Sequence, residues 1–312
     1  MRTSPNPLFT RLVENLERVV QGKTRPLQFL VVSLFSGGHV LMEDVPGVGK
    51  TTLAKALAAS IRGSFRRVQF TPDLLPTDIL GSSIYNPREG TFDFHQGPVF
   101  CNILLADEIN RASPRTQSSL LEAMSEGQAT IEGVTRTLPH PFVVLATQNP
   151  IEFHGTYPLP EAQLDRFTMR LTLGYPDRDH ELAVLEAQRQ QHPLEELEAV
   201  TDLDEVMGAQ EAVRQVRVER PISEYILALV QATREDPRLK LGSSTRGALA
   251  LYRTAQALAW CEGRDYVLPD DVKTLSIEVL AHRVMLETKS RYSGVSREAL
   301  VAEIVGRTPP TP

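Results

Sequence analysis

The sequence predicts a parallel α/β domain in its first half and a helical domain in its second. Three observations carry this reading. Short apolar runs (His39-Val40-Leu41-Met42, Asn102-Ile103-Leu104-Leu105-Ala106 and Pro141-Phe142-Val143-Val144-Leu145-Ala146) alternate with helical periodicity, as strands covered on both faces do. A Gly-rich loop follows the first run and opens straight into a helix. After Pro176 the strand signals stop and helical spacing takes over.

The elements follow in order. Residues 1–7 carry two prolines and read as frayed. Phe9, Leu12, Val13, Leu16, Val19 and Val20 keep helical spacing. A second helix spans 26–35, with Pro26 suited to a first turn, and Gly37-Gly38 ends it. A helix over 50–61 follows the Gly-rich loop. Strands at 67–70 and 171–173 complete a parallel five-stranded sheet between helices such as 116–126. Two segments break the rhythm as hairpins. One is 82–95, turning at Asn86-Pro87-Arg88-Glu89-Gly90, and the other is 128–138, turning around Gly133. The boundary falls near Gly174-Tyr175-Pro176 and divides residues 1–175 from 176–312. The second domain is expected to be all-helical, with helices at 179–191, 204–216, 223–235, 246–261, 270–284 and 296–304. The end, 307–312, reads as disordered.

Composition narrows the function classes. The 33 Lys and Arg against 39 Asp and Glu give a net charge of −6, the wrong sign for a dedicated nucleic-acid binder. Cys101 and Cys261 lack metal or redox spacing and read as small buried hydrophobes. The apolar stretch 29–42 is interrupted by Ser36-Gly37-Gly38-His39 and is too short to span a bilayer. With no secretory signal ahead of it, the chain reads as cytoplasmic.

The chemistry sits in three motifs at strand ends. Asp44-Val45-Pro46-Gly47-Val48-Gly49-Lys50-Thr51, with Thr52 next, lies between a strand and a helix, where a phosphate loop belongs. Its glycines let N–H groups approach phosphate oxygens, and the helix N-terminus favours an anion. Lys50 would reach the β- and γ-phosphates, and the Thr51 hydroxyl would hold Mg²⁺. Asp44 stands where the phosphate-loop pattern has its first glycine. The apolar run 103–106 ends in Asp107-Glu108. Asp107 would bind Mg²⁺, directly or through water, and Glu108 would orient and deprotonate an attacking water. Asn149, in Ala146-Thr147-Gln148-Asn149-Pro150, closes the next strand where it can bond the γ-phosphate or the water. Leu164-Asp165-Arg166-Phe167 and Ser243-Ser244-Thr245-Arg246 supply candidate cations.

With these pieces in order, the chain resembles the MoxR family of AAA+ ATPases over about residues 37–167. Phe70-Thr71-Pro72-Asp73-Leu74-Leu75-Pro76, Ala106-Asp107-Glu108-Ile109-Asn110-Arg111-Ala112 and Tyr157-Pro158-Leu159-Pro160-Glu161-Ala162-Gln163-Leu164-Asp165-Arg166-Phe167 carry it beside the phosphate loop. The resemblance implies a P-loop AAA+ core with a helical lid, binding ATP and Mg²⁺. It makes Asn149 sensor 1, Arg166 the arginine finger of a neighbouring subunit, and Arg246 sensor 2. It makes 82–95 the insert in the second helix and 128–138 the hairpin before sensor 1, both tending towards the pore or upper surface. Thr245 departs from the proline expected before Arg246, and Phe153-His154 from a more polar loop. His154 reads as a surface-loop histidine.

The favoured function is a protein-remodelling ATPase that works as a ring, often a hexamer. What the resemblance implies for partners is a von Willebrand factor A domain protein and a client complex. The segment ahead of the core is short, so recruitment is expected to fall to a separate adaptor. The alternative is a nucleic-acid motor or chelatase-type ATPase. Its cations are lacking, because Arg88 faces Glu89 and Asp93, and Arg136 faces Glu132. A non-hydrolysing scaffold would not need Glu108. Tyr85, Phe92 and Phe94 offer a grip on polypeptide, half of the set packing inward by period-2 alternation.

Overall fold

The computed structural model describes residues 4–149, 156–187 and 193–310, without the side chains of 183–187. His154, Phe153 and Pro150 lie outside the described residues. Asn6 caps the first helix, α1 (Pro7–Glu17): its Oδ1 accepts from Leu8 N at 2.9 Å. The expected fraying therefore gives way, by residue 6, to a capped helix start with proline in its first turn. Helix α2 (Thr24–Phe35) begins ahead of Pro26, which sits in the first turn, where a missing N–H costs little.

The chain continues through β1 (Val40–Glu43), α3 (Lys50–Ser60), β2 (Phe65–Gln69), α4 (Pro76–Leu80) and the hairpin β3 (Gly81–Asn86) and β4 (Thr91–Gln96). Then come β5 (Ile103–Asp107), α5 (Pro114–Glu126), the hairpin β6 (Gln128–Ile131) and β7 (Val134–Thr137), β8 (Val143–Gln148), α6 (Glu161–Leu164) and β9 (Met169–Leu171). Strands β2, β5, β8, β1 and β9 form one parallel sheet in that order.

The second half holds α7 (Arg178–Ala187), α8 (Leu203–Arg214), α9 (Arg220–Glu235), β10 (Leu239–Leu241), α10 (Thr245–Cys261), α11 (Pro269–Leu280), β11 (Met285–Leu286), α12 (Thr288–Tyr292) and α13 (Arg297–Arg307). Among the described residues it is helical apart from the antiparallel pair β10–β11 and an isolated parallel bridge between Arg217 and Tyr266. The two strands are too short for alternation to register in the sequence. The helix expected over 270–284 ends at Leu280, and a 3-10 turn, Ala281–Arg283, leads into β11.

The sheet divides two apolar clusters by simple alternation. Ile103 and Leu105 face the larger cluster, Leu104 and Ala106 the smaller. The larger cluster runs from α1, α2 and α3 into α8–α11 and α13, so the helical half shares a continuous core with the sheet. Phe35 meets Trp260 edge-on at 5.1 Å within it. Both cysteines are buried free thiols, and burial raises the Cys101 pKa to about 12.

His39 ties three elements together. Its Nδ1 accepts from Val144 N at 3.0 Å, and its Nε2 lies 3.0 Å from Met124 O at the end of α5. The ring is therefore neutral with the proton on Nε2. Burial lowers its pKa from 6.5 to about 4. A histidine depressed in the fold takes its proton more readily when unfolded, so stability falls as pH drops from about 6.5 to 4, by about 3 kcal/mol. The melting temperature should fall across that window. In His39→Gln the fall should be shallower but not absent, because buried His282 is shifted the same way. Identical slopes in variant and wild type would remove His39 as the cause.

Candidate active site

Parallel strands bring the carboxyl ends of β1, β2, β5 and β8 to one edge, and the predicted residues meet there. The loop after β1 turns twice with positive φ, at Gly47 (85°) and Gly49 (90°), which a side chain would strain. Gly49 is also the N-cap of α3 and gives it no side-chain cap. The first N–H groups of α3 thus keep their affinity for an anion. Lys50 Nζ donates to Asp44 O at 2.9 Å. Burial pulls its pKa down, and Asp44, Asp107 and Glu108 push it back up.

Asp44 has a structural reason to replace glycine. Its carboxylate accepts three backbone N–H groups: Val45 at 2.9 Å, Leu173 at 2.5 Å and Gly174 at 2.8 Å. It clips the start of the phosphate loop to the segment leaving β9.

The acidic pair is held from three sides. Thr147 Oγ1 donates to Asp107 Oδ1 at 2.6 Å and accepts from Glu108 N at 2.8 Å. Arg67 pairs with Asp107 Oδ2 at 2.6 Å. Gln69 Nε2 donates to Glu108 Oε2 at 2.6 Å, and Arg111 Nε lies 3.0 Å from the same oxygen. Glu108 adopts the left-handed region (φ 56°), which turns it off the line of β5. A cavity of about 370 Å³ joins Gly47, Lys50, Thr51, Asp107, Glu108 and Asn149. Arg67, Gln69 and Thr147 were not predicted as site residues. Their signal, polar side chains at or near the ends of two sheet strands, is visible only once β2, β5 and β8 are paired.

Arg166 and Arg246 do not line this cavity. Arg166 NH1 donates to Leu121 O at 2.8 Å and Ser125 Oγ at 2.6 Å, both on α5. Arg246 is exposed in the first turn of α10. That helix starts without proline because Ser244 caps it, accepting from Gly247 N at 3.2 Å while donating to Asp165 Oδ2 at 2.8 Å.

The two hairpins touch. Arg136 of β7 lies 3.7 Å over the Phe94 ring of β4, and Phe94 packs edge-on against Phe100. Tyr85 and Phe92 pair across the insert at 5.3 Å and remain 54% and 72% exposed. All three aromatics share one face, since Tyr85 pairs with Phe92 and Ser83 with Phe94. Position along the hairpin, base against tip, decides which is covered, and alternation does not.

The family model for "ATPase family associated with various cellular activities (AAA)" matches residues 39–169, and an AAA lid domain model matches 231–304. Chaperone MoxR1 of Mycobacterium tuberculosis is 38% identical over 95% of the chain and 80% of its own length. The chain belongs to the MoxR family of AAA+ ATPases. The uncharacterised protein YeaC of Bacillus subtilis is 50% identical to this MoxR family chain, covering 96% of it and 94% of its own length. A solved structure from Cytophaga hutchinsonii, described as a candidate ATPase, superposes on the family fold seen here with a TM-score of 0.90. It is 38% identical and covers 98% of this chain and 95% of its own. Among the described residues, no helix is long and apolar enough to cross a membrane.

Proposed function

We propose that this MoxR family chain is an ATP-hydrolysing, protein-remodelling motor of the cytoplasm that acts as a ring, six subunits being the expected number. Its partners would be a von Willebrand factor A domain protein and the client complex it matures. The observation that carries the hydrolytic part is the meeting of Lys50, Thr51, Asp107, Glu108 and Asn149 around one cavity. Thr51 and Asp107 suit Mg²⁺. Among the described residues no cluster of three or more His, Cys, Asp or Glu builds a metal cage, and Mg²⁺ beside a nucleotide draws most of its ligands from phosphate and water. Bound Mg²⁺ would neutralise charge on the β- and γ-phosphates. Lys50 and the α3 N–H groups orient those phosphates. Glu108 takes a proton from the attacking water, and Asn149 holds that water or the γ-phosphate. A larger cavity of about 1000 Å³, between the α1–α2 connection and Leu173, would take the base and ribose.

The protein-directed part rests on charge and exposure. The insert tip offers Tyr85 and Phe92 to a polypeptide. Arg136 is engaged by Phe94, and Arg88 has Glu89 and Asp93 on the same hairpin. Duplex DNA, with one charge per ~1.7 Å, needs cations along its path. Single- or double-stranded DNA near physiological ionic strength should therefore leave hydrolysis unchanged, whereas a co-purifying protein partner should stimulate it. Salt-sensitive stimulation by DNA would instead favour a nucleic-acid motor.

A further inference from the structure

Among the described residues Arg283 is the most deeply buried guanidinium of the helical half, its side chain 2% exposed. Burial brings its pKa down to about 10, opposed by Asp165. Such burial is costly by several kcal/mol unless the charge is fully bonded. Its donors go almost entirely to one short segment. Nε donates to Asp165 Oδ1 at 2.8 Å, NH2 to Phe167 O at 2.5 Å and Asp165 O at 3.3 Å, and NH1 to Thr168 O at 3.1 Å. NH1 also reaches Val279 O, in the last turn of α11, and lies 2.7 Å from His282 Nε2. The bonded carbonyls and carboxylate flank Arg166 on both sides in the chain. Passage for this side chain depends on Gly247, where a Cβ would stand 2.9 Å from Arg283 Cδ and 2.2 Å from Ser243 Oγ. From the same helix start Ser244 holds the other oxygen of Asp165.

We infer that Arg283 is a positioning residue for Arg166: it fixes the backbone on which Arg166 is presented to the neighbouring subunit, so its effect falls on the neighbour's hydrolysis and not on its own subunit's site. This rests on Arg166 acting in trans. The α10 start, which carries Arg246, is thus fixed to the same segment through Ser244.

The test is complementation in mixed rings. Arg283→Lys keeps the charge and loses the planar fork. Rings of this variant should bind ATP with wild-type affinity and turn over on the order of 10²-fold more slowly, the size expected of a ~1 Å misplacement. Mixed with Lys50→Ala subunits, they should recover activity, because an intact Lys50 site then receives Arg166 from a subunit whose Arg283 is wild type. Arg166→Ala mixed with Lys50→Ala is the control. Recovery in the control without recovery for Arg283→Lys, in rings verified as mixed, puts Arg283 in its own subunit's site and overturns the inference. Recovery in neither overturns the trans reading of Arg166, and this inference with it. Wild-type turnover in Arg283→Lys also overturns it. Should that variant fail to assemble, Asp165→Asn removes the same ion pair from the other partner and is judged by the same outcomes.

Discussion

Glu108→Gln is expected to bind ATP as the wild type does and to hydrolyse it ~10²–10⁴-fold more slowly. The side chain keeps its size, and its amide oxygen can still accept from Gln69 and Arg111, which bond Glu108 Oε2 in the native site. What disappears is the capacity to take a proton from water. Lys50→Ala makes the contrasting change. It removes the cation that Asp44, Asp107 and Glu108 surround, and nucleotide binding itself should be lost. Titration calorimetry for affinity and phosphate release for turnover separate the two. Wild-type turnover in Glu108→Gln would show that the water is activated elsewhere.

Arg166→Ala should lower turnover by ~10³–10⁵-fold, the range for a cation supplied to a transferring phosphoryl group from a neighbouring subunit. Its position outside the cavity of its own chain is what a trans role requires. Mixed with Lys50→Ala, which is inactive for a different reason, it should regain part of the wild-type rate, since one kind of neighbouring pair is then complete. The measure is steady-state phosphate release against mixing ratio, with subunit exchange checked by distinct tags. A flat profile at every ratio in verified mixed rings would count against Arg166 as a finger.

Much of the sheet and the ligand-facing loop was legible because each is written locally. Strands buried on both faces are continuous apolar runs, and a phosphate loop is a contiguous turn whose glycines and lysine stand in fixed order. The surrounding contacts were not legible, because they join distant parts of the chain. The bonds from Asp44 to Leu173 and Gly174 cross 129 and 130 residues. Arg67 reaches Asp107 across 40. Arg283 meets Phe167 across 116. No period or propensity encodes such pairs. The strands β10 and β11 escaped for a different reason: a strand of two or three residues has no alternation to detect.

The Arg136–Phe94 contact has a mechanical consequence. It clasps two ribbons that would otherwise bend independently, so the insert works as a lever whose exposed end is the Tyr85–Phe92 pair and whose fulcrum is the Phe94 ring. Load applied at the tip is shared by β7 through the clasp, and β6 joins α5 directly at Gly127. The last turns of α5 hold the Arg166 guanidinium through Leu121 O and Ser125 Oγ. Load on the insert tip would thus reach the same helix that holds Arg166, so the hairpin and this guanidinium share one stiff linkage.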